Sequence, residues 1–255
     1  MGVFRALPPD YETWNFPGGG AVVRHAVADA VRITLSSRTT LYDWASRQTG
    51  RDVFRGRGEA YGVQLGPVRA VVRHARRGGL LARFLDDRYL GAPRFLREIL
   101  IAGELARAGI PTPAVLAGVM YAAGLMHRAD IATERVDGRD LAALFFGDAA
   151  PAGSERSVIW RAVGALVRRL HNAGFVHPDL QLRNVLVVRA GSLTPDPWLL
   201  DIDTCRRVAA GDEESRRANL ARFDRSWAKW NTQQGPRLTP VDRADFDAGY
   251  ADRAP

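Results

Sequence analysis

One segment constrains this chain more than any other: Val176-His177-Pro178-Asp179-Leu180-Gln181-Leu182-Arg183-Asn184-Val185-Leu186-Val187. It is followed by Leu199-Leu200-Asp201-Ile202-Asp203, where an apolar pair typical of a strand leads into an Asp-x-Asp sequence. A carboxylate and an amide on a loop, with another carboxylate at the end of a strand, supply the oxygen ligands that Mg²⁺ prefers. The two segments together predict a loop-built site.

The spacing of the polar residues matches the kinase template H-x-D-L-x-x-x-N at all four fixed positions, which are His177, Asp179, Leu180 and Asn184. In that template the aspartate accepts the proton of an acceptor hydroxyl, and the asparagine and an aspartate after a strand bind metal. We therefore predict catalytic roles for Asp179 and His177 and metal-binding roles for Asn184 and Asp201. In the alternative, these residues cap turns and the histidine is structural. The complete match favours the kinase-like interpretation.

Composition predicts a globular chain in a reducing compartment. With 46% hydrophobic residues among 255, the chain can bury a substantial core and fits one two-lobed domain or two small ones. The single cysteine, Cys205, excludes a disulfide scaffold and favours the cytoplasm. No stretch approaches the roughly 18 apolar residues of a membrane-spanning helix, and the first residues lack the apolar core of a signal peptide. We expect neither a membrane span nor export by that route.

A strong positive charge indicates an affinity for polyanions. The formal net charge is +8 at pH 7, and all but one of the 36 basic residues are arginine, the exception being Lys229. Such a charge fits nucleic acid, an anionic membrane leaflet or an anionic substrate. Because the basic residues are spread through the chain and are not interleaved with stacking aromatics, we predict no nucleic-acid partner.

Hydrophobic periodicity predicts an α+β chain. The predicted elements are strands at 53–55, 60–65 and 68–73, a helix at 93–108, short strands at 115–120, 125–127 and 131–136, and helices at 141–146 and 158–172. This order is that of a two-lobed protein-kinase-like fold, with an antiparallel N-lobe sheet, one N-lobe helix and a short, mainly helical C-lobe. We predict an extension packed on the N-lobe at 1–50, the N-lobe at 51–136 and the C-lobe at 137–255.

Parts of a nucleotide site are predicted in the N-lobe. Gly56 and Gly58 stand in a sequence similar to the G-x-G-x-x-G-x-V loop, with one extra residue, and such glycines let backbone N–H groups approach phosphates. The next strand ends in Arg73, where the template has a lysine. We predict that Arg73 takes that place, with Glu98 as its carboxylate partner and Glu104 as the alternative. The competing interpretation is a solvated arginine on an edge strand.

The sequence Thr133-Glu134-Arg135-Val136, before an Asp-Gly turn, occupies the hinge position of a kinase. Backbone groups there meet the adenine ring, so we predict Glu134 and Val136 as cofactor-binding residues. The cofactors expected from the whole pattern are ATP and Mg²⁺.

Two absences bear on the acceptor. The residue before Asp179 is Pro178, so the arginine that reads activation-loop phosphorylation in protein kinases is missing, and we expect constitutive activity. The chain after Asp203 contains no A-P-E sequence and is too short for a peptide-holding platform. We therefore expect a small molecule or a glycolipid as acceptor.

These motifs together resemble the 3-deoxy-D-manno-octulosonic acid (Kdo) kinases of Gram-negative lipopolysaccharide synthesis, from about residue 55 to 220. The resemblance is carried by segments 72–80, 88–90, 95–98, 133–135, 177–184 and 200–203. It implies an arginine at the position of Arg73 and ATP-dependent phosphorylation of the Kdo 4-hydroxyl on a lipid A precursor. It also implies a peripheral protein at the cytoplasmic face of the inner membrane. The departures, Pro178 and Ala75, bear on the acceptor more than on the chemistry.

Basic surfaces fit such an acceptor. Arg76 and Arg77 follow a strand beside two glycines, and we predict that they bind substrate, a Kdo carboxylate or lipid phosphates. The alternative is a solvated turn. A basic amphipathic helix at 216–227 either packs on the C-lobe or meets the membrane, and packing is favoured. No required protein partner is evident.

Three other functions remain open at this point. The related heptose kinases of lipopolysaccharide share the loop pattern. A small-molecule phosphotransferase of the aminoglycoside type also shares it, but the net charge of +8 opposes a cationic acceptor. A nucleotide-binding pseudokinase is suggested by Arg73 and opposed by the intact Asp179, Asn184 and Asp201.

Overall fold

The computed structural model describes residues 7–37, 39–55, 58–75, 93–124 and 126–251. These residues form two compact units. The first contains the described residues up to Ala102 together with Ala114–Arg135, and the second contains Gly103–Pro113 and the residues from Val136 onward. The predictions for Gly56, Arg76 and Arg77 lie outside the described residues.

The first unit is built on a seven-stranded antiparallel sheet. Its strands are β1 (Tyr11–Phe16), β2 (Gly19–Arg24), β3 (Asp52–Arg55), β4 (Glu59–Leu65), β5 (Val68–His74), β6 (Val115–Ala123) and β7 (Met126–Glu134). Their order across the sheet is β1-β2-β6-β7-β5-β4-β3. Three helices accompany them, α1 (Ala28–Ser36), α2 (Leu41–Ser46) and α3 (Arg94–Arg107), the last of which ends in the second unit.

The predicted hairpin and third strand are confirmed. Arg55 pairs with Glu59 across the first turn, and Gly66 makes the next turn with a φ of +59°, a conformation that favours glycine. The predicted helix at 93–108 is also confirmed. The strands predicted separately at 125–127 and 131–136 are wrong in their division, because they belong to the single strand β7. That strand pairs with β6 from Met126 to Thr133 and with β5 from Asp130 to Glu134, so pairing keeps polar residues in the strand where the sequence pattern indicates a break.

A buried carboxylate joins α2 to the sheet. Asp130 on β7 is fully buried, and it accepts hydrogen bonds from the Tyr42 backbone N–H (2.9 Å) and from Nδ1 of His74 (2.6 Å). The hydroxyl of Tyr121 accepts the neighbouring N–H of Leu41 at 2.7 Å. Two unpaired N–H groups at the start of α2 are thereby satisfied by the sheet. Described residues before Gly50 thus contribute to the core of the first unit, and β2 joins its sheet by pairing with β6.

The second unit is mainly helical. Its elements are β8 (Arg139–Asp140), α4 (Leu141–Phe146), α5 (Gly153–Asn172), β9 (Phe175–Val176), β10 (Val185–Val188), β11 (Asp196–Leu199), β12 (Arg206–Arg207), α6 (Glu213–Gln234) and α7 (Pro240–Ala251). The predicted α4 is confirmed. Helix α5 begins five residues before the predicted Val158, because its first turn is polar and carries no apolar periodicity.

Helices α5 and α7 approach so closely that their contact requires glycine. A Cβ atom at Gly164 would lie 2.1 Å from the backbone oxygen of Phe246, and one at Gly249 would lie 2.0 Å from that of Arg161. Neither backbone can yield without moving its helix. The absence of side chains at these two positions therefore sets the distance between α5 and α7.

Helix α6 packs on this pair through aromatic rings. Phe223 is fully buried and stacks on Phe246 of α7, with 5.2 Å between the ring centroids. The ring centroid of Trp227 lies 4.7 Å from that of Trp160 on α5. The favoured interpretation of the basic segment 216–227, that it packs on the rest of its unit, is confirmed. Its exposed residues include Arg217 and Arg225.

A polar chain fixes the same three helices. The buried imidazole of His171 on α5 donates from Nε2 to Oδ1 of Asn219 on α6 (3.0 Å), and its Nδ1 accepts the hydroxyl of Tyr250 on α7 (2.8 Å). This pattern assigns the neutral tautomer. Burial lowers the pKa of His171, so the neutral ring is favoured in the folded protein.

The predicted α+β class is confirmed, since the described residues form a large antiparallel sheet and seven helices. The two-lobed kinase-like arrangement stays a prediction. Within the described ranges, no helix has both the length and the apolar character needed to cross a bilayer.

We predict that Gly164→Ala destabilises the protein by about 2 kcal/mol, because the added methyl forces α5 and α7 apart. Alanine's better helix propensity offsets part of this, up to ~1 kcal/mol. Urea unfolding followed by tryptophan fluorescence measures the difference. Gly191→Ala is the matched control, because nothing lies within 4 Å of a Cβ at that position. A Gly164→Ala protein as stable as the original would contradict the close approach.

We also predict that the protein loses stability as the pH falls below the ordinary histidine pKa of about 6.5. Above that pH, His171 is neutral in both states. Below it, the unfolded chain takes up a proton that the buried ring resists, so stability falls by up to about 1.4 kcal/mol per pH unit until the lowered pKa is reached. His171→Gln keeps a donor for Asn219 but removes this loss.

The measurement is urea unfolding at about pH 7.5 and about pH 5.5, which bracket the ordinary histidine pKa. His25→Gln, at an exposed histidine, is the control. Equal acid sensitivity in His171→Gln and the original protein would overturn this assignment.

Candidate active site

The polar loop at residues 177–184, here the His177 loop, is held by its own backbone. The Leu180 N–H donates to the His177 carbonyl at 2.8 Å, and the Asn184 N–H donates to the Gln181 carbonyl at 2.9 Å. Residues Leu182–Asn184 form a 3₁₀ turn that leads into β10. The loop therefore begins at β9, folds back twice and ends on a strand, which fixes both of its ends.

His177 is fully buried and joins the loop to the segment before Asp201. Its Nε2 donates to the Leu200 carbonyl at 2.9 Å. Its backbone N–H donates to Oδ1 of Asn219 (3.1 Å), and its carbonyl accepts from Nδ2 of the same amide. The predicted catalytic residue His177 thus sits beneath the loop surface, where it orders the backbone on either side of it.

The carboxylate of Asp179 is half-buried and receives donors on both oxygens. Nη2 of Arg222 on α6 donates to Oδ1 at 2.7 Å. Oδ2 accepts from Nε2 of Gln181 at 3.1 Å and, more weakly, from Nδ2 of Asn184 at 3.4 Å. Asn184 Nδ2 also donates to the Asp179 carbonyl at 2.8 Å. The carboxylate is therefore held in one orientation at the surface of the loop.

Asn184 and Asp201 are brought to one end of a β-hairpin. Val185 pairs with Leu199 where β10 meets β11, and the Leu200 N–H donates to the Asn184 carbonyl at 2.9 Å. Asp201 follows with a φ of +54°, an uncommon left-handed conformation for a residue other than glycine. Such backbone strain is concentrated at functional positions.

The oxygens at this end of the hairpin fit a hard divalent cation. Because Asn184 uses Nδ2 for its hydrogen bonds within the loop, its Oδ1 is left for another partner. The exposed carboxylate of Asp201 makes no hydrogen bond or ion pair in the described part of the chain. An amide oxygen and a carboxylate are suitable Mg²⁺ ligands, with water and phosphate oxygens completing the shell.

In the first unit, Arg73 and Glu98 form the ion pair predicted from the sequence. Nη2 of Arg73 on β5 donates to both carboxylate oxygens of Glu98 on α3, at 2.8 and 2.9 Å. Only 4% of the Glu98 side chain is exposed, against 32% for Arg73. The alternative partner, Glu104, instead binds Nε of Arg207 at 2.9 Å. The guanidinium is thus anchored by a buried carboxylate.

The other predicted cofactor-binding residues lie at turns and strand ends. Gly58 stands in the turn between β3 and β4. Glu134 ends β7, where its backbone N–H donates to the Ala114 carbonyl at 2.8 Å. Val136 follows two residues later, and its backbone N–H has no partner among the residues that the structure describes. That N–H is a donor available to a ligand.

Two residues of α6 were missed as site residues by the sequence analysis, Asn219 and Arg222. Both lie inside the segment that was identified only as a basic amphipathic helix. They reach the His177 loop from about 40 residues downstream, and no local template contains them. Their spacing of three residues, which places them on one helix face, is the one signal available in the sequence.

The arrangement has two chemical capacities. An oriented carboxylate at Asp179 can accept a proton from a hydroxyl group, and the oxygens of Asn184 and Asp201 can hold a cation beside it. Separately, the Arg73 guanidinium is anchored and has the charge needed for phosphate oxygens. These are the functional groups of phosphoryl transfer.

Comparisons with known proteins agree with this chemistry. The model of the lipopolysaccharide kinase (Kdo/WaaP) family matches residues 43–250. A 3-deoxy-D-manno-octulosonic acid kinase of Actinobacillus succinogenes is 36% identical over 194 residues, which cover 74% of this chain and 78% of that protein. The proteins of the same name from Vibrio parahaemolyticus (31% identical, 73% and 76% covered) and Xylella fastidiosa strain M23 (34%, 75% and 74%) are also similar. The chain belongs to the lipopolysaccharide kinase (Kdo/WaaP) family.

Proposed function

We propose that this protein transfers the γ-phosphoryl group of ATP to the 4-hydroxyl of a Kdo sugar on a lipid A precursor, in the biosynthesis of the lipopolysaccharide inner core. The observation that carries the proposal is the oriented carboxylate of Asp179, held beside Asn184 in the His177 loop. Membership of the family and the names of the similar proteins support the choice of acceptor.

Asp179 is the acceptor-side carboxylate in this proposal. It takes the hydroxyl proton as the acceptor oxygen forms its bond to the γ-phosphorus. The bond from that phosphorus to the bridging oxygen breaks, and ADP leaves with the electron pair. His177 does not meet substrate in this scheme; its buried ring keeps the loop and the Leu200 carbonyl in register, so its role is one of positioning.

Asn184 and Asp201 are the proposed ligands of Mg²⁺, which would neutralise negative charge on the phosphates. Arg73, anchored by Glu98, is proposed to bind phosphate oxygens in place of the usual lysine. Gly56 and Gly58 would cradle the phosphates, and backbone groups of Glu134 and Val136 would meet adenine. Arg76 and Arg77 are proposed to bind anionic groups of the acceptor.

Two broader features belong to the same proposal. The two compact units are taken as the N-lobe and C-lobe of a protein-kinase-like fold. The protein works as a peripheral protein at the cytoplasmic face of the inner membrane, a location supported by its net charge of +8 and by the lipid nature of the acceptor. A heptose of the lipopolysaccharide core is the second acceptor to test, since the related heptose kinases share the pattern of the His177 loop.

We predict that Asp179→Asn lowers the turnover number at least about 100-fold, because the amide cannot take up the hydroxyl proton. The measurement is an assay with ATP and Mg²⁺ on Kdo-lipid A, with mass spectrometry to detect the gain of one phosphate. Asp247→Asn, an exposed carboxylate that pairs with Arg243 on α7, is the matched control. Unchanged transfer by Asp179→Asn would refute the assigned role, and transfer to heptose alone would correct the acceptor.

We further predict that Arg73→Met raises the KM for ATP about 10-fold or more, since a phosphate contact of a guanidinium is lost. Arg73→Lys should recover part of this affinity, because an ammonium supplies the charge without the two-pronged geometry. Arg69→Met, at an exposed arginine on the same strand, is the control. A KM for ATP that stays the same in Arg73→Met would place the phosphates elsewhere.

A further inference from the structure

A cation from outside the His177 loop lies directly on the proposed acceptor-side carboxylate. Nη2 of Arg222 is 2.7 Å from Oδ1 of Asp179 and 3.2 Å from Oε1 of Gln181. Gln181 in turn donates from Nε2 to Oδ2 of Asp179 at 3.1 Å. The three side chains form a closed triangle in which each one orients the other two.

The positive charge that contacts the Asp179 carboxylate does not come from the His177 loop itself. The residue two positions after Asp179 is the neutral Gln181, whose amide can bridge but cannot compensate a carboxylate. The one basic residue within 177–184 is Arg183, and its guanidinium lies over the ring of Trp230 at 5.2 Å. Among the described contacts, the cation on Asp179 therefore comes from α6.

Helix α6 contacts the loop through three residues, Asn219, Arg222 and Ser226. Asn219 binds both backbone groups of His177, and Oγ of Ser226 accepts the Leu182 N–H at 3.2 Å. Phe223 is fully buried on the same face. Arg222 lies between these anchors, so its side chain starts from a backbone that is already fixed relative to the loop.

The contact between Arg222 and Asp179 would reduce electrostatic repulsion in the transfer step. The acceptor-side carboxylate must come close to a triphosphate, and two anions at short range repel strongly where water is excluded. A guanidinium on Asp179 compensates one of them. Arg222 uses only Nη2 for the contacts found in the described residues, so Nε and Nη1 remain to donate to a phosphoryl oxygen.

We propose that Arg222 is a positioning residue for phosphoryl transfer, which orients Asp179 and Gln181 toward the acceptor hydroxyl and compensates the carboxylate's charge as the phosphoryl group approaches. The inference rests on the proposed function through the role given to Asp179. It assigns to α6 a part in the reaction beyond its part in packing.

The test compares Arg222→Ala, Arg222→Lys and the control Arg225→Ala in the full-length protein. Arg225 is exposed on the same helix, three residues further on. Transfer from ATP to Kdo-lipid A gives the turnover number and both KM values, and the slow hydrolysis of ATP by water gives a second rate that needs no sugar acceptor. Thermal unfolding reports whether each variant is folded.

We expect Arg222→Ala to lower the turnover number about 100-fold, a loss typical of a misplaced catalytic group, with little change in either KM. Arg222→Lys should keep an intermediate rate, because it retains the charge but not the fork. Guanidinium chloride at about 20 mM should restore about 10-fold of the rate to Arg222→Ala, since the small cation supplies the missing donors. It should restore nothing to Asp179→Asn or to Arg225→Ala, and sodium chloride should have no such effect.

The outcomes separate this inference from the function on which it rests. Two results would overturn the role of Arg222 and leave the kinase function in place. One is a transfer rate of Arg222→Ala within about threefold of the original. The other is an equal loss of rate in both Arg222 variants, without rescue by guanidinium. If the protein hydrolyses ATP but does not phosphorylate Kdo-lipid A, the acceptor is wrong and the hydrolysis rates decide the inference. Absence of both activities overturns the two together. If Arg222→Ala fails to fold, Arg222→Lys against Arg225→Ala gives the decision.

Discussion

The buried side-chain amide of Asn219 is the contact on which the His177 loop depends. Its Oδ1 accepts from the His177 N–H and from His171, and its Nδ2 donates to the His177 carbonyl. Only one orientation of the amide satisfies all of these partners. A flipped amide would leave buried polar groups unpaired, which costs roughly 1–3 kcal/mol for each group. Since Asn219 lies on α6 and its partners lie on α5 and in the loop, a single side chain fixes three segments together.

That constraint explains how a loop can hold Asp179 accurately. Loops are usually the more mobile parts of a fold, but this one is bound to α6 at three points and to the segment before Asp201 through His177. The close approach of α5 and α7 at Gly164 sets the frame on which α6 packs through Phe223. Packing far from the loop thus determines the position of the carboxylate.

Local patterns were enough to predict the loop, the hairpin at 53–73 and helix α3, because neighbours in sequence determine them. The Arg73–Glu98 pair could be predicted as well, because Arg73 lies at the end of a strand and the next helix offers few carboxylates as partners. The contributions of Asn219 and Arg222 could not be predicted, because they depend on how α6 packs. The continuity of β7 was missed for a similar reason: strand pairing, not alternation, keeps its polar residues in the sheet.

Each unit contains an arginine–carboxylate ion pair, and the two pairs are held in place differently. Glu98 is nearly inaccessible to water, so its bond to Arg73 is strengthened by the low polarity of its surroundings. The pair of Arg222 and Asp179 is about a quarter exposed on both sides, and water weakens it. Exclusion of water therefore does not fix the geometry of the Arg222–Asp179 pair. Its geometry comes from the anchored helix and from Gln181, which lets the carboxylate keep both its orientation and its access to an acceptor.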